Sequence, residues 1–413
     1  MAIDFTLTAE QNALKSQVRA FAKEVLAGVR AKTEALPTPE ERFLATKPAY
    51  EAMVAAGYLN KCIPAPAGGE ATSLVDMAIL AEEFYSVNAS VTLTMLGTVL
   101  GLTPVLLAGT PEQCGRFLKP FLQKRGSPLA GFCSSEPGGS ANAASPPPAE
   151  GVRTTARLEG EEWVISGRKK WVSSATGWDR RGADLLCVVC RTGDSGQFGN
   201  HVSVIAVERP ERGLVFERAI EAVGHRAHLV PEFGFDNLRV PRANLLGGVG
   251  GGLALTEASF TGTAALVGMF GVALMRAAFD FALHFATTER RGGVHPIIEH
   301  QAVGYALGDA KIAIEAARYL SWRACHALDQ QSPSAPELSI QAKIFGSETA
   351  VRVITDLMRV VGIDSYDHAL PLAGLLQDAL ALPIFDGGNM GIRRRQLHSI
   401  MMQPGYDPLS ASA

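Results

Sequence analysis

Apolar positions along this chain change their period twice, and the two changes divide it into three stretches. Over residues 1–127 they recur at helical spacing. Leu14, Val18, Phe21, Ala22 and Val25 fall on one face of a helix of roughly 18 residues, and Thr8-Ala9-Glu10-Gln11 reads as its capping box. Further helical segments are predicted near 39–57, 73–86, 90–108 and 111–124, with a loop at Pro64-Ala65-Pro66-Ala67-Gly68-Gly69. Residues 89–107 are apolar on nearly every side, the pattern of a helix enclosed by others.

From 128 to 245 the period becomes that of strands. Thr154-Thr155-Ala156-Arg157-Leu158 and Trp163-Val164-Ile165-Ser166 flank Glu159-Gly160-Glu161-Glu162 and predict a hairpin. Further strands are predicted at 185–190, 202–207, 214–217 and 233–240, with Ser145-Pro146-Pro147-Pro148 a stiff loop. Without helices between them, these strands predict a mainly antiparallel sheet or barrel. Helical spacing returns from about 250 to 400, with long segments at 253–285, 297–328 and 335–361 and a fourth after the glycines at 387 and 388. That pattern predicts a four-helix bundle. The expected class is α+β, with a helical domain at 1–127, a β-domain at 128–245, a bundle at 246–404 and a frayed tail at 405–413.

Composition narrows this little, since 47% hydrophobic and 19% charged residues are ordinary for a globular chain. A net charge of −3 gives no basic footprint for nucleic acid. No apolar run is expected to approach the ~20 residues that span a membrane, and Met1-Ala2-Ile3-Asp4-Phe5 lacks the cationic start of a signal peptide. Six cysteines fit no disulfide framework, so a reducing, cytoplasmic setting is expected. Cys187 and Cys190 have CxxC spacing, but on a strand such residues face opposite sides, so they read as buried thiols.

Candidate chemistry sits in four stretches. Ala381-Leu382-Pro383-Ile384-Phe385-Asp386 places an acid at the end of an apolar run, a setting that suits a general base. Gly387 and Gly388 follow, and Arg393 lies seven residues beyond the acid, within reach of it if a helix starts at the glycines. Phe132-Cys133-Ser134-Ser135-Glu136-Pro137-Gly138-Gly139-Ser140-Ala141-Asn142 offers hydroxyls and free backbone N–H groups. Lys170-Trp171-Val172-Ser173-Ser174 offers a stacking face beside hydroxyls. Arg290-Arg291-Gly292-Gly293 ahead of Ile297-Ile298-Glu299-His300-Gln301 suits a phosphate group. As residue patterns alone, these also read as a turn, a surface loop, a core tryptophan and a solvated turn. The glycine run at 247–252 is not a dinucleotide fingerprint, and His225-Arg226-Ala227-His228 has no zinc-ligand spacing.

Taken together and in this order, the stretches resemble the acyl-CoA dehydrogenase superfamily of flavoproteins over about residues 4–405. The resemblance implies an FAD cofactor. Ser135-Glu136-Pro137 is similar to the family's Thr-Glu-Pro flavin loop, which implies contacts from Phe132, Cys133, Ser134, Ser135, Ser140, Ala141 and Asn142. Trp171-Val172-Ser173 resembles the Trp-Ile-Thr signature beside the isoalloxazine, with Ser173 near flavin N5. Glu289-Arg290-Arg291 with Pro296-Ile297 and Gln301 resembles the pyrophosphate segment, implying Arg291, His300 and Gln301. Val360-Val361-Gly362 resembles the segment that reaches a neighbouring subunit's cofactor, implying Arg359, Val360, Val361, Gly362 and Ile363, and a homotetramer. Ile384-Phe385-Asp386-Gly387-Gly388 takes the place of Ile-Tyr-Glu-Gly-Thr.

The dehydrogenases have a Glu base there, and this chain has Asp386. Phe385-Asp386-Gly387-Gly388-Asn389 followed by Gly391-Ile392-Arg393-Arg394-Arg395-Gln396 resembles the superfamily's nitroalkane oxidase branch. Asn142, Gly177-Trp178-Asp179 and Arg291-Gly292-Gly293 resemble it too, while Thr263 stands where that branch has a Ser bonded to the acid. The implied activity is oxidation of a nitroalkane by molecular oxygen to an aldehyde or ketone, with nitrite and hydrogen peroxide released. Asp386 would be the base, positioned by Thr263 and Arg393, with Ser173 beside the flavin. An acyl-CoA dehydrogenase or oxidase using Asp386 in place of Glu is the alternative.

Overall fold

A computed structural model describes residues 6–145, 149–192, 201–210 and 212–409. The expectations for residues 1–5, 146–148 and 410–413 lie outside these. The Thr8 hydroxyl accepts from the Gln11 N–H at 3.2 Å, and the Gln11 side chain accepts from the Thr8 N–H at 3.1 Å. This capping box opens α1 (Ala9–Phe21), which relaxes into a π-turn at Ala22–Leu26. The helical stretch continues as α2 (Val29–Glu34), α3 (Pro39–Ala55), α4 (Leu74–Tyr85), α5 (Ala89–Ala108) and α6 (Pro111–Phe117). The predicted helix to 124 stops at Phe117 and tightens into a 3-10 turn at Lys119–Leu122, where Pro120 has no N–H to continue the ladder.

Among the described residues the sheet has eight strands: β1 (Ala130–Cys133), β2 (Thr155–Glu159), β3 (Glu162–Lys170), β4 (Leu185–Arg191), β5 (Val202–Glu208), β6 (Leu214–Ala219), β7 (Pro231–Pro241) and β8 (Leu245–Leu246). The order is β6-β7-β3-β2-β4-β5-β8, and the predicted hairpin is β2–β3. Most pairs are antiparallel. The exception that matters is β1, which runs parallel to β4 and was not predicted. Ala-Gly-Phe-Cys is four residues long and has no β-branched member, so it carries little strand signal of its own. All six cysteines are free, and burial pushes the Cys190 thiol up to about 12 and the Cys187 thiol up as well.

Three long helices follow: α7 (Gly252–Thr288), α8 (Gln301–Asp329) and α9 (Ala335–Val361). A helical segment follows the glycines as expected, made of a π-turn at Asn389–Arg393 and a short helix at Arg394–Met401 (α11), while α10 (Pro371–Ala381), which precedes Asp386, was not predicted. Gly268 and Gly346 bring α7 and α9 together, since a Cβ on Gly346 would lie 2.8 Å from the Gly268 Cα. Contrary to the sequence expectation, α5 and α7 are long and apolar enough to cross a membrane, and 67% of each such window is buried inside the protein. The N-terminal helices are tied to this bundle by buried charges. Glu83 on α4 pairs with Arg276 at 2.7 Å, and Glu82 pairs with Arg276 at 2.8 Å and Arg318 at 2.9 Å.

Candidate active site

Asp386 sits where the chain reverses between α10 and the π-turn. Its backbone is left-handed, with φ 52°, and Gly387 follows at φ 71°. A non-glycine residue held there stores strain of order 1–3 kcal/mol, a feature that clusters at functional sites. The reversal, not two turns of regular helix, brings Arg393 back to the acid. Arg393 Nη2 donates to Asp386 Oδ2 at 2.9 Å and to the Asp386 carbonyl at 2.8 Å, and Nε donates to that carbonyl at 3.0 Å. Nη2 also donates to the Phe260 carbonyl on α7 at 3.1 Å. Thr263, three residues further along α7, donates its hydroxyl to Asp386 Oδ1 at 2.9 Å. The Asp386 and Arg393 side chains are 4% and 1% exposed. The acid is therefore buried as expected, but its surroundings are not merely apolar: each oxygen has a donor and the charge has a counter-ion.

The glycine after the acid is a fitting requirement. A Cβ on Gly387 would lie 2.9 Å from Arg393 Nε. Beneath the loop, Lys343 of α9 is fully buried and donates to Asn389 Oδ1 at 2.6 Å, while Asn389 donates to Ser347 and Glu348, each at 3.0 Å. Burial pulls the Lys343 ammonium down to about 7 against the opposing pull of Asp386. Sequence reasoning missed Lys343. Its signal was a polar stripe, Ser339, Lys343 and Ser347, at helical spacing beside an apolar face.

The first group of predicted cofactor residues gathers around this centre. Phe132 on β1 lies 5.3 Å, ring to ring, from Phe260. Beyond Cys133, Ser134 and Ser135, the Glu136 carboxylate is buried and accepts from Lys169 Nζ at 2.9 Å, from the Thr154 hydroxyl at 2.7 Å and from the Thr154 N–H at 2.9 Å. Burial alone would raise this carboxyl, but Lys169 and the Thr154 bonds outweigh it and hold it at about 2. The loop through Ser140, Ala141 and Asn142 is held to the acid's own segment, because Arg395 donates to the Ala141 carbonyl at 2.7 Å. Phe385 stands edge-on to His225 at 6.4 Å, and Ile384 is exposed.

Trp171 has φ 65° and is 54% exposed, while Val172 beside it is buried. Ser173 Oγ meets His228 Nε2 at 3.1 Å, and His228 Nδ1 meets Thr94 Oγ1 of α5 at 2.9 Å. Burial, with a smaller push from His225, holds the His228 imidazole down at about 3, so it is neutral. The sequence reading weighed His225 and His228 only as metal ligands and so missed this contact. Bare aromatic and aliphatic faces at Trp171 and Ile384, joined to hydroxyl-rich loops around a buried acid, fit a flat, polar-edged ring system such as the isoalloxazine of FAD.

The second group lies elsewhere. Arg291 donates to the Val361 carbonyl at 2.9 Å and pairs with Asp364 at 2.8 Å. This sets it beside Val360, Gly362 and Ile363, of which Ile363 is 83% exposed. His300 and Gln301 stand at the start of α8, and Arg359 pairs with Asp356 at 2.8 Å. Thr263 is 25 residues from the end of α7 at Thr288, which at 1.5 Å per residue separates the two groups by about 37 Å. One chain does not bring them together.

Comparison with known proteins agrees with this geometry. Residues 8–125, 131–238 and 250–402 match, in turn, the N-terminal, middle and C-terminal domains of acyl-CoA dehydrogenase. The chain belongs to the acyl-CoA dehydrogenase family and is a flavin-dependent oxidoreductase with FAD as its cofactor. Within that family it groups with the nitroalkane oxidases. It is 44% identical to the nitroalkane oxidase of Podospora anserina over 100% of this chain and 99% of that one. The solved structure of that protein superposes with a TM-score of 0.95 over 100% of both chains. The nitroalkane oxidase of Fusarium oxysporum is 37% identical, over 99% of this chain and 97% of that one. A cyclohex-1-ene-1-carbonyl-CoA dehydrogenase of Geobacter metallireducens is 27% identical, over 85% of this chain and 88% of that one.

Proposed function

We propose that this chain oxidises nitroalkanes to aldehydes or ketones with release of nitrite and hydrogen peroxide, and that Asp386 removes the α-proton. The observation that carries this reading is the Asp386 carboxylate, buried, with Thr263 on one oxygen and Arg393 on the other. Each carboxylate oxygen has two acceptor sites, so one on each remains to take a proton. The nitro group makes the adjacent carbon acidic, so a carboxylate held at contact distance suffices as base. Thr263 and Arg393 fix the acid's orientation, each holding one carboxylate oxygen.

When bound, FAD supplies the acceptor for the substrate's electrons and returns them to oxygen. Phe132, Cys133, Ser134, Ser135, Ser140, Ala141, Asn142, Trp171, Val172, Ser173, Ile384, Phe385, Gly387 and Gly388 would hold its flavin end. Arg291, His300, Gln301, Arg359, Val360, Val361, Gly362 and Ile363 would serve the cofactor of a neighbouring copy in a homotetramer. Their separation from Asp386 by about 37 Å along α7 supports that division. Active-site mutants of a nitroalkane oxidase 37% identical to this chain were crystallized with 1-nitrooctane and 1-nitrohexane, and an arginine and an aspartate have roles in that flavoprotein's reaction. The test is anaerobic mixing of the holoenzyme with nitroethane and, separately, with butyryl-CoA. Flavin bleaching with nitrite release from nitroethane alone is the expected result, and bleaching by the thioester alone would overturn the reading in favour of an acyl-CoA substrate.

A further inference from the structure

The geometry points to His228 as a positioning residue: by accepting the Ser173 hydroxyl at Nε2, it presents the serine oxygen to the flavin as a hydrogen-bond acceptor instead of a donor. This rests on the reading above that Ser173 adjoins flavin N5.

The argument is a count of protons. Thr94 has one hydroxyl proton, and its Oγ1 lies 3.1 Å from the Ser90 carbonyl one helical turn back. That carbonyl can only accept, so the hydroxyl donates to it. With the hydroxyl engaged on Ser90, the tautomer that satisfies both contacts carries its proton on Nδ1 and donates it across the 2.9 Å contact to Thr94 Oγ1. A neutral imidazole carries one N–H, and it is spent on Nδ1. Nε2 is left as an acceptor, and the atom 3.1 Å away is Ser173 Oγ. The single serine proton therefore goes to His228, and what the oxygen has left is lone pairs.

The surroundings hold this arrangement. His228 is buried, which keeps the ring neutral and excludes the doubly protonated form that would donate from both nitrogens. α5 is seated directly on the serine: a Cβ on Gly97 would lie 2.7 Å from the Ser173 Cβ. The two loops are stitched together on either side, by Ser174 N–H to the Leu229 carbonyl at 2.8 Å and Trp171 N–H to the Pro231 carbonyl at 3.3 Å. These contacts fix the Ser173 backbone and Cβ, and with them the place of its oxygen beside His228.

The consequence falls on the flavin's redox balance. Oxidised flavin N5 is an acceptor, and reduced flavin carries a donor there. An acceptor oxygen beside N5 favours the reduced form. If His228 no longer takes the serine proton, the hydroxyl is free to donate to N5 and favours the oxidised form.

The test is the midpoint potential of the FAD-loaded enzyme by dye-equilibrated titration, for wild type, His228→Leu, Thr94→Val, Ser173→Ala and the double variant His228→Leu/Ser173→Ala. His228→Leu is expected to shift the reduction equilibrium about tenfold toward the oxidised form, about 30 mV lower for a two-electron couple. Thr94→Val, which unfixes the tautomer without touching the histidine, should shift it the same way by less, and it decides the question if His228→Leu does not fold. The double variant should match Ser173→Ala. Unchanged potentials in both His228→Leu and Thr94→Val, or a His228→Leu shift that persists without the serine, would overturn the proposal. An unchanged potential in Ser173→Ala would instead remove the flavin-adjacent reading of Ser173, and the proposal with it.

Discussion

Replacing Asp386 by asparagine is the most informative single change, because it removes the ability to accept a proton and keeps the side chain's shape. The amide has the size of the carboxylate. Its oxygen can still accept from Thr263, now at 2.9 Å. Arg393 keeps its bonds to the main-chain carbonyls of residue 386, at 2.8 and 3.0 Å, and of Phe260, at 3.1 Å. What is lost is the anionic partner at 2.9 Å. Stranding a buried charge costs about 3–5 kcal/mol when nothing else engages it, and the three surviving carbonyl bonds place the cost at about 3 kcal/mol. The variant should fold and retain FAD.

A positioned general base contributes about 10²–10⁴ in rate, or about 3–5 kcal/mol of barrier at 1.36 kcal/mol per decade. kcat/KM for neutral nitroethane should fall by that factor in Asp386→Asn. The same compound ionised beforehand in alkali and added as its anion needs no base. With the anion, turnover should fall less than about tenfold, since binding and oxidation are untouched. Oxygen uptake and nitrite, measured with both forms, separate proton removal from every other role. Equal losses with the two forms would show that Asp386 serves binding or orientation, and full activity toward the neutral form would remove it from the mechanism.

Three further changes probe what surrounds the acid. Gly387→Ala puts a Cβ at φ 71° and 2.9 Å from Arg393 Nε, so stability should drop by about 1–2 kcal/mol and kcat/KM by more than about tenfold; an unaltered kcat/KM at full FAD content would show that the guanidinium's placement is not needed. Glu136→Gln strands Lys169, which is fully buried, and should cost about 3–5 kcal/mol at pH 7. Because the Glu136 carboxyl is held at about 2 against an ordinary 4.5, its stabilisation is present above pH 4.5 and is lost as pH falls toward 2; thermal melts across that window should be flatter in the variant, and parallel curves would argue against the cluster. Lys343 falls from 10.5 to about 7, so the unfolded chain binds the extra proton between those values and stability should rise with pH there. Lys343→Met should abolish that rise, and a slope that survives the change would assign it to another group.

How much of this was legible beforehand depended on the distance over which each feature is determined. The long helices α7, α8 and α9 declare themselves through a repeat sustained over many residues, and the strands β4 and β5 through short runs that are apolar almost throughout. β1 does not, because four residues owe their extended form to pairing with β4. Asp386 itself was visible, since an acid between an apolar run and two glycines is a local pattern. Its two partners were legible in different ways: Arg393 is seven residues away, whereas Thr263, 123 residues away on another helix, was reached only through the family resemblance. His228 shows the limit most clearly. Its stretch could be tested for metal spacing and failed that test, but the proton count that gives it a role needs Thr94, separated by 134 residues, and Ser173, separated by 55. A short motif can therefore reveal which group reacts, while the protonation state that group and its neighbours hold is set by partners that only the fold assembles. Residues such as Lys343, polar and buried on the face of α9 beneath the acid's loop, are where the two kinds of information meet. Their polarity at helical spacing is written locally, but the partner it meets is Asn389, on a distant loop that also carries the acid.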